Sequence, residues 1–333
     1  MASNITRTER SKPKAGTAVT SAAKAEGLPG RAYVTILAGN GDDVKGVTGL
    51  AMGLKKVESK YKLVVAVLPD VPQQHRKALH DLGCIVKEIG PVNPLKDQTQ
   101  LAMASHADIN NPEIQLINIK KYSKLRIWQF AEYSKMIYLE GDVQVYSNID
   151  DLFDFNDGYI YAPRQPWPEF LMWPTEFGTP KPSYYFNASM FVFEPGASIF
   201  NDLLVLLNTI TSIPLIPLDA QLHVLILLNM FFRKKLMGLP EHNYMALTML
   251  QNHKKNVDLN EVKVIHYCSP ELRPWRHTPE RVNVDIELVN KLKEKWLCIF
   301  NDESLKPNKK QKSLEIETEI IKTEIIRSTG QEK

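Results

Sequence analysis

The first third of the chain alternates short apolar runs with segments whose apolar residues recur at helical spacing. Residues 32–38 and 62–68 are mostly apolar, and runs of this length predict two buried strands. Between them, apolar residues recur every three or four positions, as on one face of a helix: Val44, Val47, Leu50, Ala51 and Leu54. A helix at about 73–82 and a strand at 84–89 continue the alternation. This order favours a mainly parallel sheet with right-handed crossovers.

The middle and later parts of the chain are less regular but carry the same signals. A helix is predicted at about 123–133, and the apolar run at 136–139 predicts a buried strand directly after it. Residues 158–162 predict another strand, and the aromatic stretch 184–194 predicts one central strand. The last predicted elements are two helices and a short strand, at about 196–211, 219–232 and 263–266. The whole pattern indicates an α/β fold with a mainly parallel central sheet flanked by helices.

Both ends of the chain differ from the part between them. Residues 1–30 contain almost no large apolar residues, which predicts a disordered segment. This segment is basic and Ser-rich, so an organelle address stays open, although it shows no clear amphipathic face. Residues 306–333 are rich in Lys and Glu, and predict a flexible charged tail or one solvated helix. A single domain is therefore expected at 31–305.

Composition and charge exclude several classes of partner. The net charge of +3 over 333 residues is too small to favour nucleic acid or an anionic membrane. The most apolar helix, at 222–232, is far shorter than the ~20 residues needed to cross a bilayer. Three scattered cysteines, Cys84, Cys268 and Cys298, lack metal-ligand spacing, and fit reduced thiols in the cytoplasm.

Two acids follow the central apolar run. Glu140 and Asp142 flank Gly141 directly after residues 136–139. Two carboxylates at the end of a buried strand are costly unless something cationic neutralises them. One interpretation is a surface turn with solvated acids. The other is a divalent-metal site at the carboxyl end of a parallel strand, where open α/β sheets bind ligands.

His266 ends the last predicted strand and offers a third ligand. A lone histidine at a strand end is commonly a capped or surface imidazole, but two carboxylates and one imidazole also suit Mn²⁺. Arg273, a few residues further on, could hold a phosphate oxygen with two N–H groups. Lys124 and Arg126, on the helix before the acids, either meet phosphates or form a solvated basic face. The sequence thus predicts a metal and phosphate site without excluding a structural role for each residue.

Two asparagines lie beside predicted strands. Asn187 falls inside the aromatic stretch, where a buried amide needs partners, either in the core or on a sugar hydroxyl. Asn40 lies in the glycine-rich turn 39–41, between the first strand and the first helix. A strand, a glycine-rich turn and a helix open a nucleotide-binding unit of the βαβ type. The turn lacks the G-x-G-x-x-G spacing, so no dinucleotide fingerprint is present.

Longer blocks of the sequence resemble glycosyltransferase family 8, and within it the plant galactinol synthases. The blocks keep the family's order and lie at 33–35, 38–42, 65–72, 122–128, 133–145, 186–188, 190–195, 264–268 and 274–276. The resemblance implies a GT-A fold, an α/β domain that binds a UDP-sugar with Mn²⁺. It also implies transfer of galactose from UDP-galactose to myo-inositol, giving galactinol and UDP with retention at the anomeric carbon.

The same resemblance implies a biological setting. Galactinol donates galactose to raffinose-family sugars, which places the family in galactose metabolism and in the stress response of plants. A cytoplasmic enzyme with small-molecule partners is expected, without nucleic acid or membrane. Homo-oligomers, or hetero-oligomers with paralogues, stay open.

The resemblance also carries roles onto individual residues of this chain. The metal ligands fall on Glu140, Asp142 and His266. The residues expected to bind the nucleotide sugar are Asn40 at the uridine, Lys124, Asn187 and Arg273 at a phosphate. Lys124 is also the expected catalytic residue.

The chain departs from the family pattern at several of these positions. Glu140 replaces the first aspartate of the D-x-D motif, Asp43 replaces an aromatic residue that would stack on uracil, and Arg273 replaces a lysine. The other departures are Ser189 and Glu271 in place of glycines, 163–165 in place of an acid, and 224–226 in place of an E-Q-D block. Two alternatives therefore stay open: a non-catalytic or weakly active paralogue that acts as a binding or regulatory partner, and a family-8 transferase with a different acceptor.

Overall fold

The computed structural model describes residues 30–92, 120–166, 178, 181–211, 220–239, 244–247, 261–276 and 286–306. The disordered segment predicted at 1–30 and the tail predicted at 306–333 lie outside these ranges, apart from Gly30 and Lys306. The domain boundaries therefore stay predictions. Among the residues that are described, no helix is long and apolar enough to cross a membrane.

The alternation predicted at the start of the chain is confirmed. Its elements are β1 (Arg31–Leu37), α1 (Asp43–Lys56), β2 (Leu63–Val67), α2 (Gln73–Asp81) and β3 (Ile85–Glu88). The three strands are parallel neighbours, with Thr35 opposite Val65 and Val65 opposite Val86. β2 is buried at every position, because helices cover both faces of the sheet.

Four further strands complete the central sheet. They are β4 (Lys135–Leu139), β6 (Ile160–Ala162), β9 (Met190–Phe193) and β10 (Leu236–Gly238), and the strand order is β10-β6-β9-β4-β1-β2-β3. β4 runs parallel to β1 and β10 runs parallel to β6, whereas β9 lies antiparallel between β4 and β6. Four of the six pairings are parallel, which confirms the mainly parallel sheet.

The prediction of one central strand at 184–194 is wrong. The stretch contains β8 (Tyr184–Phe186), which pairs antiparallel with β7 (Arg164–Pro166), and then β9 of the central sheet. The chain turns between them because the Asn187 side-chain oxygen accepts a hydrogen bond from the Ser189 backbone N–H at 2.9 Å. The Ser189 N–H is thus bonded to a nearby side chain, whereas in a continuous strand it would be bonded to a neighbouring strand.

The helix predicted at 123–133 is shorter and tighter than expected. Residues Ser123–Gln129 form a 3-10 helix. After Gln129 the backbone turns, with the Ala131 N–H donating to the Gln129 carbonyl at 2.8 Å and the Tyr133 N–H donating to the Phe130 carbonyl at 3.0 Å. The N–H groups of Ser134 and Lys135 then both donate to the Gly30 carbonyl, at 3.0 and 3.1 Å. The bonds to Gly30 lead the chain into β4 alongside β1.

Two of the longer helices that follow confirm predictions from the sequence, whereas the helix at 286–300 was not predicted. The helices predicted at 196–211 and 219–232 are present as α3 (Ala197–Thr211) and α4 (Ala220–Phe232), and α5 (Ile286–Phe300) comes after them. Three short 3-10 helices lie at Asp150–Asp154, Pro270–Leu272 and Glu303–Leu305.

Apolar side chains pack on both faces of the central sheet. Neighbouring residues of a strand point to opposite faces, so Val34 and Tyr138 belong to one cluster while Tyr33 and Leu139 belong to the other. α3 and α4 contribute to the first cluster, in which Trp128 packs against the rings of Phe191, Phe193 and Phe232. α1 contributes to the second cluster. This packing fixes the strand ends that carry the polar residues.

A second sheet of three strands carries His266. It consists of β5 (Val143–Val145), β11 (Met245–Ala246) and β12 (Val264–His266), in the order β11-β12-β5. β12 runs antiparallel to β5, with His266 opposite Val143. Because β5 starts directly after Asp142, this register brings the histidine to the two acids.

Candidate active site

A cavity of about 530 Å³ opens at the carboxyl ends of β1 and β4. Its walls also include the turn 187–189, the residues 224 and 225 of α4, and parts of the segments 120–124 and 266–275. This is the edge at which open α/β sheets bind ligands. Six of the seven predicted site residues line it: Lys124, Glu140, Asp142, Asn187, His266 and Arg273.

The two acids and the histidine converge in this cavity. His266 Nε2 lies 3.3 Å from Asp142 Oδ1 and 3.6 Å from Glu140 Oε2. One ligand atom from each residue lies within 4.8 Å of the other two. The Asp142 side chain is only 11% exposed, so the surface-turn interpretation of the acids is wrong for this residue.

Backbone hydrogen bonds hold the acids in place. The Glu140 N–H donates to the Ser189 carbonyl at 2.9 Å, and the Tyr267 N–H donates to the Asp142 carbonyl at 2.9 Å. Glu140 is therefore bonded to the turn that leads into β9, and Asp142 is bonded to the residue that follows β12. Their positions follow from strand register and do not depend on loop packing alone.

The other ring nitrogen of His266 contacts two buried hydroxyls. Nδ1 lies 2.7 Å from the Tyr244 hydroxyl and 3.0 Å from Ser189 Oγ. Burial raises the pKa of Tyr244 well above its ordinary value, so its hydroxyl stays neutral. In the tautomer that carries hydrogen on Nδ1, this N–H is donated to the hydroxyls, and the Nε2 lone pair faces the carboxylates. Hydrogen bonding of this kind orients metal-binding histidines.

The donor set fits a divalent cation. Two carboxylates and one imidazole suit Mn²⁺ and related ions, and a cation between them removes the repulsion between the Nε2 lone pair and the acids. Glu140, which replaces an aspartate, still reaches the cluster with Oε2. The residues Glu140, Asp142 and His266 could therefore hold a divalent metal.

Lys124 is part of the same cluster. Its side chain is buried and donates to Glu140 Oε1 at 2.7 Å and to the Ala188 carbonyl at 2.8 Å, with the Tyr138 ring 4.6 Å below the ammonium. Burial lowers the pKa of the ammonium, and the Glu140 carboxylate offsets part of that effect. A solvated basic face is therefore excluded for Lys124.

Arg126 behaves differently from Lys124. It donates to the Gly90 and Pro91 carbonyls, both at 3.1 Å, and does not line the cavity. Of the two cations that the sequence placed before the acids, only Lys124 can meet a ligand at this site.

Arg273 connects Asp142 to α1. Its Nη2 donates to Asp142 Oδ2 at 2.8 Å, and its Nη1 donates to Asp43 Oδ1 at 3.0 Å. Burial alone would raise the pKa of Asp142. The hydrogen bonds and charges of Arg273, and of His266 when its Nε2 carries a proton in place of a metal, outweigh burial and hold this pKa well below its ordinary value. Asp43 and Arg273 are both positions at which the chain departs from the family pattern, and they contact each other.

The two predicted asparagines have different surroundings. Asn187 lines the cavity, but its side-chain oxygen accepts hydrogen bonds from the Ser189 N–H and hydroxyl, and its amide nitrogen donates to Gln165 at 3.4 Å. Asn40 is exposed in the turn after β1 and does not line the cavity. Most of the hydrogen bonds of the Asn187 side chain are thus made to neighbouring protein groups. The contact of Asn40 with uridine stays a prediction.

The other departures fall both inside and outside the cavity. Val224 and Leu225 form an apolar part of its wall, and Ser189 joins the hydrogen bonds around His266. Glu271 is exposed, accepts a hydrogen bond from the Ser269 hydroxyl, and does not line the cavity. The Glu271 carboxylate is therefore not one of the groups that face the cavity.

Sequence reasoning missed several residues of the cavity. Lys120 and Lys121 line it, and the Lys120 ammonium lies 3.6 Å from Asp70 Oδ2. Asp70 also accepts a hydrogen bond from the Gly39 N–H at 2.9 Å, and a Cβ at Gly39 would collide with the Lys120 ammonium. Gly39 has φ of 78°, a conformation that glycine adopts without strain. The pair of lysines before Tyr122 was the one available signal in the sequence.

Comparison with known proteins identifies the family and the fold. Residues 34–278 match the family model described as Glycosyl transferase family 8. Galactinol synthase 2 of Solanum lycopersicum is 48% identical over 308 residues, which cover 87% of this chain and 85% of that protein. Galactinol synthase 1 of Arabidopsis thaliana is 46% identical over 311 residues, with the same coverage of 87% and 85%.

Solved structures confirm the GT-A fold. The galactosyltransferase LgtC, in complex with donor and acceptor sugar analogs, superposes with a TM-score of 0.54 at 18% identity, and the match covers 79% of this chain and 95% of that one. The glycosyltransferase GlyE of Streptococcus pneumoniae gives a TM-score of 0.51 at 18% identity, over 83% of this chain and 65% of that one. At this level of identity the likeness concerns the fold alone.

Proposed function

The chain belongs to glycosyltransferase family 8, and on this premise we propose that it transfers galactose from UDP-galactose to myo-inositol, giving galactinol and UDP. The observation that carries the proposal is the identity of 46–48% to galactinol synthases over 85% of their length. The convergence of two carboxylates, a histidine, a lysine and an arginine in one cavity supports it.

We propose Mn²⁺ as the cofactor. Glu140, Asp142 and His266 would hold it, because their oxygen and nitrogen ligands suit this ion and their ligand atoms already lie together. When bound, such an ion neutralises the negative charge that develops on the departing UDP.

The cationic side chains of the cavity would hold the donor. Arg273 presents a planar guanidinium that matches two phosphate oxygens, and it lies directly beside Asp142. The buried Lys124 ammonium adds a positive charge in a site of low dielectric, where it stabilises developing negative charge more strongly than in water. Asn187 at the galactose and Asn40 at the uridine complete the proposed donor site.

The acceptor hydroxyl would attack from the face that UDP leaves. Among the described residues that line the cavity, the carboxylates are Asp43, Glu140 and Asp142, and each already faces an arginine, a lysine or a histidine. None of the three is available as a nucleophile that would form a glycosyl-enzyme. The hydroxyl proton would pass to the departing diphosphate oxygen, and the configuration of galactose would be retained.

One assay tests the proposal. The purified chain is incubated with UDP-galactose, Mn²⁺ and myo-inositol, and both galactinol and free UDP are quantified. We expect the two products in equal amounts, and their loss on chelation of the metal. Absence of UDP release with any acceptor, together with absence of Mn²⁺-dependent UDP binding, would contradict the enzymatic proposal. UDP release without galactinol would instead indicate a different acceptor.

The cellular setting is also a proposal. We place the reaction in the cytoplasm, in the synthesis of raffinose-family sugars during plant stress, as the resemblance implies. Microscopy of a fluorescent fusion tests the location. Association with itself or with paralogues stays a prediction, which light scattering of the purified chain would test.

A further inference from the structure

Two acids at the start of α1 bind the segment 270–276 and not their own helix. Asp42 holds the N-cap position, where an aspartate typically accepts a backbone N–H bond, yet its side chain makes no such bond. Its carboxylate instead accepts from Arg276, with Nη2 at 2.6 Å and Nε at 3.0 Å. Asp43 accepts from Arg273 Nη1 at 3.0 Å and from Arg276 Nη2 at 3.3 Å. Both acids are therefore committed to the segment.

The segment also packs closely on α1. A Cβ at Gly46 would collide with the Gly141 carbonyl and with the Trp275 ring. Gly141 lies between the two acids of the metal cluster, so α1, the segment and the cluster meet at one point. A shift of the segment relative to α1 would therefore also displace residues that line the cavity.

Arg273 is held between two carboxylates by opposite ends of its guanidinium. Nη1 donates to Asp43, and Nη2 donates to Asp142 Oδ2. The other oxygen of Asp142, Oδ1, is the one that faces His266. Arg273 can therefore keep its hydrogen bonds to Asp43 and to Asp142 Oδ2 while Asp142 Oδ1 contacts His266.

The anchored guanidinium keeps donors for a further ligand. Arginine has five N–H donors, and the bonds to Asp43 and Asp142 use two of them. Arg273 Nε is buried and has no acceptor among the described residues, so the donors left for a ligand are the second N–H groups of Nη1 and Nη2. A planar cation with remaining donors at a cavity wall suits phosphate oxygens.

We propose that Asp43 is a positioning residue for the donor diphosphate, because it fixes Arg273 at the cavity wall beside Asp142. Asp43 acts through Arg273 and does not itself bind the donor. Its carboxylate also repels phosphates, but it is about half exposed, so solvent and salt screen that repulsion. The inference rests on the proposed function, since it requires a nucleoside diphosphate as the ligand.

A double-mutant cycle on Asp43 and Arg273 tests the inference. UDP binding is measured by calorimetry in the presence of Mn²⁺, for the full-length wild type, Asp43→Asn, Arg273→Lys and the double variant. We expect Asp43→Asn to weaken UDP binding about 3- to 10-fold, as for loss of one partly exposed charged contact. In the Arg273→Lys background the same change is expected to alter UDP binding less than about 2-fold, because the fork that Asp43 holds is already gone. Asp43→Glu is expected to recover most of the lost affinity.

Two further readouts separate positioning from general damage. Asp43→Asn is expected to raise the KM for UDP-galactose and to leave kcat within about 2-fold, because the bound complex keeps its reacting groups. Mn²⁺ binding without UDP is expected to be unchanged. The matched control is Asp154→Asn, which removes another aspartate–arginine pair, Arg31–Asp154 at 2.7 Å, at the opposite end of β1 and is expected to alter neither quantity.

The outcomes distinguish this inference from the proposed function. If the wild type binds UDP but Asp43→Asn binds it equally well or more tightly, the positioning role is overturned and the enzymatic proposal stands. Full additivity of the two substitutions would also overturn it. A wild type that binds no UDP with Mn²⁺ overturns both.

Discussion

The two sides of the cavity are held by different kinds of interaction. On the metal side, the backbone N–H of Glu140 donates to a carbonyl of the turn 187–189, and the pairing of β5 with β12 sets His266 beside Asp142. These contacts belong to strand ladders and their immediate extensions. Their geometry is fixed by register, which changes only if the strands separate.

On the side of the cavity formed by Arg273, side-chain ion pairs hold the residues in place. Arg273 and Arg276 of the segment 270–276 are joined to Asp42 and Asp43, and these acids are about one-third and one-half exposed. Ion pairs of this exposure are individually weak and are screened by salt. The comparison indicates that the geometry of the proposed metal ligands is built into the fold, whereas the position of the arginine proposed to bind phosphate depends on a small charge network.

The largest expected effect on activity comes from removing the charge of Asp142, one of the proposed metal ligands. Asp142→Asn keeps the shape of the side chain but removes the charge that faces His266 and Arg273. We expect kcat/KM for galactosyl transfer to fall on the order of 10²–10³-fold, because developing charge on UDP is no longer neutralised. Steady-state kinetics with circular dichroism as a folding check measures this. Activity within about 3-fold of the wild type would be incompatible with a metal role of this acid.

Removing the buried ammonium is expected to have the next largest effect. Lys124→Met keeps an unbranched stem against the Tyr138 ring but removes the charge beside Glu140. We expect kcat to fall about 10- to 10²-fold, because the positive charge acts on the substrate in a water-excluded site. Mn²⁺ affinity is expected to be kept or to rise, since Glu140 loses a competing cation. A large loss of Mn²⁺ affinity with unchanged kcat would show that Lys124 only supports the metal ligands.

A smaller effect is expected from the hydroxyl behind the histidine. Tyr244→Phe removes one of the two hydroxyls at His266 Nδ1, so the ring is oriented less well toward the acids. We expect Mn²⁺ affinity to fall about 10-fold, as is typical for loss of a partner of a metal-binding histidine. Calorimetric titration of Mn²⁺ measures it. The control is Tyr146→Phe, whose hydroxyl bonds Tyr267 away from the cluster, and equal losses in both variants would refute the orienting role.

The smallest effect on activity, with a clear effect on stability, is expected at a carboxylate outside the cavity. Asp150 accepts hydrogen bonds from the Tyr33 hydroxyl, Ser59 Oγ and the Lys60 N–H, at 2.7, 2.7 and 2.9 Å. Burial would raise the pKa of Asp150, but these bonds outweigh it and lower the pKa. Asp150→Asn is therefore expected to reduce the free energy of unfolding by about 1–3 kcal/mol at pH 7 with kcat unchanged.

The pH dependence of that difference follows from the sign of the pKa shift. A carboxylate whose folded pKa is lowered stabilises the fold above its unfolded pKa of about 4, and this stabilisation disappears as the pH falls through the folded value. The stability gap between wild type and Asp150→Asn is expected to be full at pH 7 and to shrink below about pH 4. Urea unfolding at several pH values measures the gap, and a gap that widens in acid would contradict this account.

Much of the fold could be predicted because its signals are local. Apolar runs identify β1, β2, β3 and β4, and the position of Glu140 and Asp142 after β4 already identifies the carboxyl edge of the sheet. The single strand expected at 184–194 failed because one side-chain hydrogen bond, from the Ser189 N–H to Asn187, creates a turn inside an aromatic run. Strand propensity alone carries no information about such a bond.

The parts of the site that escaped prediction depend on long-range contacts. Asp43 and Arg273 meet across 230 positions of sequence. Tyr244, which directly precedes β11, contacts His266 at the end of β12. The sequence therefore presented Asp43 as a lost stacking residue, while the structure shows its bond to Arg273. Pairings of this kind are set by how the segment 270–276 packs on α1, which no local pattern encodes.

The claim that Glu140, Asp142 and His266 form the metal centre of this transferase is tested most directly by anomalous diffraction. Crystals of the full-length chain are soaked with Mn²⁺ and UDP, and data are collected at the manganese absorption edge. We predict one strong anomalous peak at ligand distance from Glu140, Asp142 and His266, with a diphosphate oxygen also bound to it. A peak elsewhere, or UDP bound in the cavity without a peak among these three residues, would contradict the account.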